Sequence, residues 1–199
     1  MSGELERAKA AIRTRLRAAM EKMGTPARAG ASAALCARMV RWEGWQRATT
    51  ILMFSPMPDE PDVKPLLEAA REAGKRVALP RFRPSDGDYE AALVTGAEGE
   101  LATGRFGIRE PGAACPAVPL IHLDLLLIPG VGFAPDGCRL GRGRGFYDRL
   151  LASVTGLKCG VAFDEQLVET LPIGPYDIRL DCILTPSCWW SAGRRVVVE

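Results

Sequence analysis

The chain has a single histidine, His122, and no pair of cysteines spaced Cys-x-x-Cys. The usual zinc frameworks, which draw four Cys and His ligands from short spacings, are therefore excluded. A Ser-His-Asp or Cys-His nucleophilic site would have to be built on His122. That residue stands directly before a very apolar run, where it reads as a histidine capping the entrance of a strand. An excess of one charge is missing as well. Lys and Arg number 26 against 24 Asp and Glu, a formal net charge of +2, so no general field draws the chain to nucleic acid or to a membrane surface. Any anion site must come from a local cluster. No apolar run approaches the length of a membrane span, and no basic-then-apolar leader opens the sequence. The six cysteines (Cys36, Cys115, Cys138, Cys159, Cys182 and Cys188) are scattered, which with the missing leader fits a reducing cytoplasm.

What is present is enough for one compact domain spanning residues 1–199, 47% hydrophobic and 25% charged. Leu5, Ala8, Ile12, Leu16, Met20 and Met23 recur at helical spacing, which predicts an amphipathic helix over 4–23. Thr25 and Pro26 read as the N-cap and first turn of a second helix running to about Trp42. The period then changes: residues 49–54 read as a buried strand stopped by Pro56 and Pro58. A third helix is expected over 61–73, ended by Gly74, then strands over 76–80 and 89–95. The Gly- and Pro-rich stretch 96–119 reads as irregular with a short strand pair. Residues 123–128 form the most apolar run and predict a central strand. A helix over 145–154, a strand over 158–163, a short helix over 164–170 and a last core strand over 181–185 follow. Strands alternating with helices predict an α/β class, a single domain with a largely parallel, helix-flanked sheet. Such sheets bind ligands at the carboxyl ends of their strands.

One loop carries most of the chemistry. After the central strand the chain reads Pro129-Gly130-Val131-Gly132, and then Arg139-Leu140-Gly141-Arg142-Gly143-Arg144-Gly145-Phe146-Tyr147-Asp148. Glycines at alternate positions let a backbone approach a ligand closely, and successive N–H groups there can converge on an anion. The helix starting near Gly145 adds its positive end, and Arg139, Arg142 and Arg144 add forked donors. The loop is neither a Walker A sequence nor a Gly-x-Gly-x-x-Gly dinucleotide turn. On its own it reads as a phosphate cradle, a solvated turn or an RNA-contacting segment, and its ordered flanks favour the cradle. Asp148, in the first helical turn, reads either as a dipole-favouring partner of an arginine or as a carboxylate that holds Mg²⁺ against phosphates.

At this loop the sequence resembles the 5-formyltetrahydrofolate cyclo-ligase family, whose hallmark is Arg-Leu-Gly-x-Gly-x-Gly-Tyr-Tyr-Asp after an apolar strand ending in Pro-Gly. Lys9 and Arg13 at the start of the first helix, Pro58-Asp59-Glu60-Pro61-Asp62 after the first strand, and Leu79-Pro80-Arg81 extend the likeness. Asp164 to Pro172, Tyr176-Asp177 and Asp181 to Thr185 continue it, so it spans nearly the whole chain in order. The resemblance implies an α/β-sheet enzyme that uses ATP and Mg²⁺ to convert 5-formyltetrahydrofolate to 5,10-methenyltetrahydrofolate, releasing ADP and phosphate.

It also implies roles. Lys9, Arg13 and the run Arg139, Leu140, Gly141, Arg142, Gly143, Arg144, Gly145, Phe146 and Tyr147 would bind ATP, with Arg139 and Arg144 as the catalytic arginines. Arg142, Gly143, Arg144, Gly145 and Phe146 would also face the folate, together with Ser55. Glu60 would accept two N–H donors of the pterin ring; read alone, it is a turn carboxylate in a proline-rich loop. Asp148 and Asp177 would hold Mg²⁺, Asp177 being preferred to Asp181. The partners expected are small molecules only, with no nucleic acid and no membrane, and the protein is expected to be a monomer in the cytoplasm. The chain departs from the family pattern at three places: Phe146 replaces a tyrosine, Tyr176 stands where a histidine often precedes the aspartate, and Pro186 stands at a commonly acidic position. Trp189 and Trp190, in a less familiar tail running to Glu199, read as packing surface. A family member that binds nucleotide or folate without this reaction is the alternative.

Overall fold

In a computed structural model of the chain, residues 2–191 and 193–196 are described, and the last residues of the tail, 197–199, lie outside them. In chain order, helices α1 (Ser2–Lys22), α2 (Thr25–Arg41) and α3 (Glu43–Arg47) precede strand β1 (Thr50–Leu52) and helix α4 (Lys64–Glu72). A long hairpin, β2 (Arg76–Arg83) and β3 (Asp88–Val94), leads to the short pair β4 (Leu101–Thr103) and β5 (Arg109–Pro111) and to β6 (Ala117–Val118). Next come β7 (Leu125–Ile128), the small hairpin β8 (Gly132–Phe133) and β9 (Arg139–Leu140), α5 (Phe146–Leu151) and β10 (Leu157–Val161). Strands β11 (Cys182–Leu184), β12 (Trp189–Ser191) and β13 (Arg194–Val196) complete the order.

Nine strands form one sheet in the order β13-β12-β11-β10-β7-β1-β2-β3-β6. The five at its centre, from β11 to β2, are parallel to one another, and two antiparallel strands extend each edge. This is the α/β, largely parallel, helix-flanked arrangement that the strand–helix alternation predicts. The apolar run of β7 is buried on both faces, as a central parallel strand requires. Leu125 and Leu127 point into the core beneath α2, α3 and α4, with Leu35, Met39, Trp45 and Leu66. Leu126 and Ile128 point into the opposite core with Leu150 and Leu151 of α5.

Several boundaries differ from the sequence expectation. Thr25 is the first residue of α2 rather than its cap; Gly24 holds the N-cap position, with no side-chain cap. Pro61–Val63 stay outside α4, which starts at Lys64 with Pro65 in its first turn. Pro80 does not end β2. The strand runs on to Arg83 because its partner is the antiparallel β3, and Pro80 pairs there with Ala91. Residues 164–170 contain one 3₁₀ turn, Asp164–Gln166. His122 lies in a 3₁₀ turn just before β7 and is exposed. The helix α3 and the hairpin β8–β9 are additions.

The small hairpin positions the glycine–arginine loop. Gln166, buried, donates to the Gly130 carbonyl at 2.8 Å while its own carbonyl oxygen accepts the Phe163 N–H at 2.8 Å, so the turn after β7 is pinned to the turn after β10. At Gly132 the approach is close: a Cβ there would lie 2.4 Å from Leu16 Cδ1, so the Leu16 side chain would have to shift. Helix α1 thus lies against β8, and its Lys9–Arg13 face reaches the loop.

Candidate functional site

A cleft of about 490 Å³ opens at the carboxyl ends of β1 and β7, where a parallel sheet is expected to bind ligands. Its lining includes Lys9 and Arg13 from α1, Ser55 and Glu60 from the segment after β1, and Asp177 from the segment before β11. Every residue from Arg139 to Asp148 lines it too. The structure therefore brings together the residues that the resemblance assigns to ATP, folate and Mg²⁺, whereas His122 and Asp181 lie outside the lining.

Helix α1 clamps the loop from one side. Arg13 Nε donates to the Gly141 carbonyl at 2.9 Å, and Lys9 Nζ donates to Asp177 Oδ2 at 2.5 Å. The same Oδ2 accepts the Gly174 N–H at 2.6 Å. Gly143 (φ +96°) and Gly145 (φ +67°) adopt the left-handed region, in which L side chains are strained, and Gly145 caps α5. At the floor of the cleft, Arg139 Nη2 donates to Asp148 Oδ1 at 2.8 Å, and the guanidinium lies 5.5 Å from the centre of the Tyr147 ring. Burial pushes the Tyr147 phenol up from its ordinary range, and the Glu60 charge adds to this. Arg144 is exposed at the rim.

The loop after β1 meets the glycine–arginine loop through one guanidinium. Arg142 donates from Nε and Nη2 to Glu60 Oε1, at 3.2 and 2.8 Å, and from Nη2 to Asp59 Oδ1 at 2.7 Å. Glu60 Oε2 accepts the Met57 N–H at 3.0 Å. Burial raises the Glu60 carboxyl above its ordinary value, with Arg142 and the Met57 N–H acting against the shift. Ser55 donates to the Arg109 carbonyl at 2.5 Å, so its hydroxyl fastens the β4–β5 strap to the cleft wall.

Sequence reasoning missed part of this wall. Glu110, buried on β5, accepts the Phe82 N–H at 2.9 Å and the Tyr89 hydroxyl at 3.3 Å. Burial, and then the charge of Glu110, push the Tyr89 phenol up to about 12, so it stays a hydrogen-bond donor. The Tyr89 ring packs edge-on against Phe146 at 5.1 Å, which fills the Phe146 position with an aromatic contact that needs no hydroxyl. Glu110 lies in the irregular Gly/Pro-rich stretch, where no periodicity flags a buried carboxylate. Tyr176, the other departure near the site, is 86% exposed.

Among the described residues no three Asp, Glu, His or Cys side chains cluster as a metal cage. Asp148 and Asp177 are each paired to a cation through one oxygen. That donor set suits a cation shared with phosphate oxygens, which needs only one or two carboxylates, rather than an ion enclosed by protein alone. No described helix is long and apolar enough to cross a membrane.

The sequence pattern of the 5-formyltetrahydrofolate cyclo-ligase family matches residues 5–186. The 5-formyltetrahydrofolate cyclo-ligase of Escherichia coli K12 is 39% identical over 158 residues, 77% of this chain and 87% of that protein. The enzyme of the same name from Mus musculus is 27% identical over 188 residues, 89% of this chain and 93% of that one. Among solved structures, the 5,10-methenyltetrahydrofolate synthetase of Aquifex aeolicus superposes with a TM-score of 0.84 at 28% identity, covering 96% of both chains.

Proposed function

Because this chain belongs to the 5-formyltetrahydrofolate cyclo-ligase family, we propose that this cleft seats the ATP phosphates on the glycine–arginine loop and the pterin of 5-formyltetrahydrofolate on Glu60. The protein is a ligase of one-carbon metabolism that cyclises 5-formyltetrahydrofolate to 5,10-methenyltetrahydrofolate at the expense of ATP. The observation that carries the site reading is convergence: Lys9, Arg13, Glu60 and all of 139–148 line one cleft.

The chemistry asks for positioning and charge, which these residues supply. A formamide oxygen is a poor leaving group. Transfer of the γ-phosphoryl from ATP to that oxygen releases ADP and gives a phosphorylated imidate. The folate N10 then attacks the former formyl carbon, N10 loses its proton, and the C–O bond breaks to expel phosphate and close the five-membered ring. Phosphoryl transfer is catalysed by in-line positioning and by stabilising charge on the transferred group, so no histidine base is demanded. Arg144, at the rim, faces the transferred group, while Arg139 holds Asp148. Lys9 and Arg13 reach the phosphates from α1. Asp148 and Asp177 would hold Mg²⁺ together with the nucleotide, and the cation would neutralise phosphate charge when bound. Action on small molecules, as a monomer and in the cytoplasmic setting suggested by the scattered cysteines, completes the reading.

Absorbance of the methenyl product in a mixture of protein, 5-formyltetrahydrofolate, ATP and Mg²⁺ tests the reading. Product requiring all components is the expected result. Binding of both ligands by folded protein with no product would replace the ligase reading by that of a binding protein.

A further inference from the structure

Glu60 has fewer open acceptor positions than pterin recognition asks of it. An ionised carboxylate accepts at about four lone-pair positions. On Glu60, Oε2 accepts the Met57 N–H and Oε1 accepts both Nε and Nη2 of Arg142. A ring edge presenting two N–H donors meets a carboxylate with about one position left. Arg142 must therefore give up at least one of its two bonds to Glu60 for that edge to seat. A partly buried guanidinium turned loose without an acceptor would oppose this exchange.

The same Nη2 already has a second acceptor. It lies 2.7 Å from Asp59 Oδ1 and 2.8 Å from Glu60 Oε1, with the Asp59 side chain 36% exposed and that of Glu60 only 6%. We propose that Asp59 is a positioning residue that takes over Arg142 when the donor edge of the folate claims Glu60. The inference rests on the assignment of Glu60 to the pterin. Two carboxylates facing one guanidinium leave the triad with surplus negative charge, the sign that suits a ring donating N–H groups. Without the Asp59 charge, Nη2 is left with at most a neutral acceptor beside Glu60, and the ligand competes with a charge-assisted pair that no second carboxylate divides. Asp59 itself need not touch the folate.

The test is direct titration of 5-formyltetrahydrofolate into the wild-type, Asp59→Asn and Asp59→Glu proteins, with KM for ATP measured alongside. The Asn variant is expected to bind the folate about ten-fold more weakly, the scale of one hydrogen bond to a charged group, with KM for ATP unchanged. The Glu variant, which keeps the carboxylate, is expected to recover most of the loss. Folate binding by Asp59→Asn equal to wild type would overturn the proposal. So would an equal weakening of folate and ATP, which would make Asp59 a mere prop of the loop. Wild-type protein that binds no folate at all would overturn the Glu60 assignment itself, an outcome distinct from either.

Discussion

Arg139 and Asp148 are joined at 2.8 Å across the floor of the cleft, the arginine side chain 4% exposed and the aspartate 22%. Besides the Tyr147 ring, Arg139 has little else among the described residues: Nη1 is 3.4 Å from the Pro129 carbonyl, and the buried Nε has no hydrogen-bond partner there. Asp148 is therefore the counter-ion of a buried guanidinium as well as the carboxylate expected to meet Mg²⁺. Removing one member of a buried pair costs roughly 3–5 kcal/mol, and the partial exposure of Asp148 places it near the lower end. Asp148→Ala is expected to lose about 3 kcal/mol and roughly 6–12 °C in Tm. Asp148→Asn keeps an acceptor for Nη2 but not the counter-charge, so it should melt between the Ala variant and wild type, with the loss of the metal-binding charge seen as lost turnover. Thermal unfolding of both variants decides. An Ala variant that melts like wild type would mean Arg139 does not depend on Asp148.

Glu60 predicts a pH dependence. Burial raises its carboxyl above the ordinary value, so the proton is taken up at a higher pH than on an exposed glutamate. The ionised form accepts N–H donors, and protonation removes acceptor capacity. Folate affinity should thus be greatest at neutral pH and fall, with one proton taken up, as pH drops through the raised pKa. Glu60→Gln should bind folate weakly and lose this pH dependence, while KM for ATP changes little. Linkage to stability has the opposite sense. A raised carboxyl favours the folded state most below its unfolded pKa, and that contribution is lost as pH rises through the folded value. The Gln variant is therefore expected to be at least as stable as wild type at neutral pH. An identical pH profile of folate binding in wild type and variant would remove Glu60 from the site.

Arg144 separates catalysis from folding. Its side chain is exposed at the rim, where the interaction it makes contributes little, and the bond from Arg149 is made to its backbone carbonyl at 3.3 Å, which Arg144→Ala retains. Stability should change by no more than about 1 kcal/mol, the upper range for an exposed interaction. An arginine that stabilises the transferred phosphoryl group contributes on the order of 10³-fold or more to turnover. The expected result is normal melting with kcat reduced by about that factor. Full kcat would place the phosphoryl group elsewhere in the cleft.

The layered fold was legible because its central strands are apolar runs: within residues 123–128, Leu125–Ile128 is unbroken and forms β7. What sequence periodicity cannot see is pairing at a distance. Pro80 reads as a strand end, yet the antiparallel partner β3 carries the strand through it. The loop that carries the chemistry was legible from glycine and arginine alone, but not the use of its charges inside the protein. Arg142 reads as a ligand arginine and is found shared between Asp59 and Glu60, residues more than eighty positions away. Glu110 left no signal, because a carboxylate in a Gly/Pro-rich stretch looks solvated until the fold buries it against Tyr89.

Gly143 tests the cradle through the backbone alone. At φ +96° it lies where an L residue is strained, yet a Cβ there would meet nothing closer than Arg13 at 3.6 Å, ordinary contact. Gly143→Ala therefore adds no clash. Its cost, about 1–2 kcal/mol, is that of forcing an L residue into this conformation. Part of that strain is relieved if the peptide units beside Gly143 rotate, which turns their N–H groups away from a bound anion. KM for ATP is expected to rise several-fold and Tm to fall by a few degrees, with folate binding, which depends on Glu60, largely kept. Gly141→Ala is the contrasting variant: its φ is not positive, and the added Cβ would press on Arg139 Nη1 at 3.1 Å. Its defect should track the Arg139–Asp148 pair and appear chiefly in stability. If Gly143→Ala leaves KM for ATP unchanged, the backbone amides of this loop do not hold phosphate, and the nucleotide depends on the arginines, Lys9 and the cation alone.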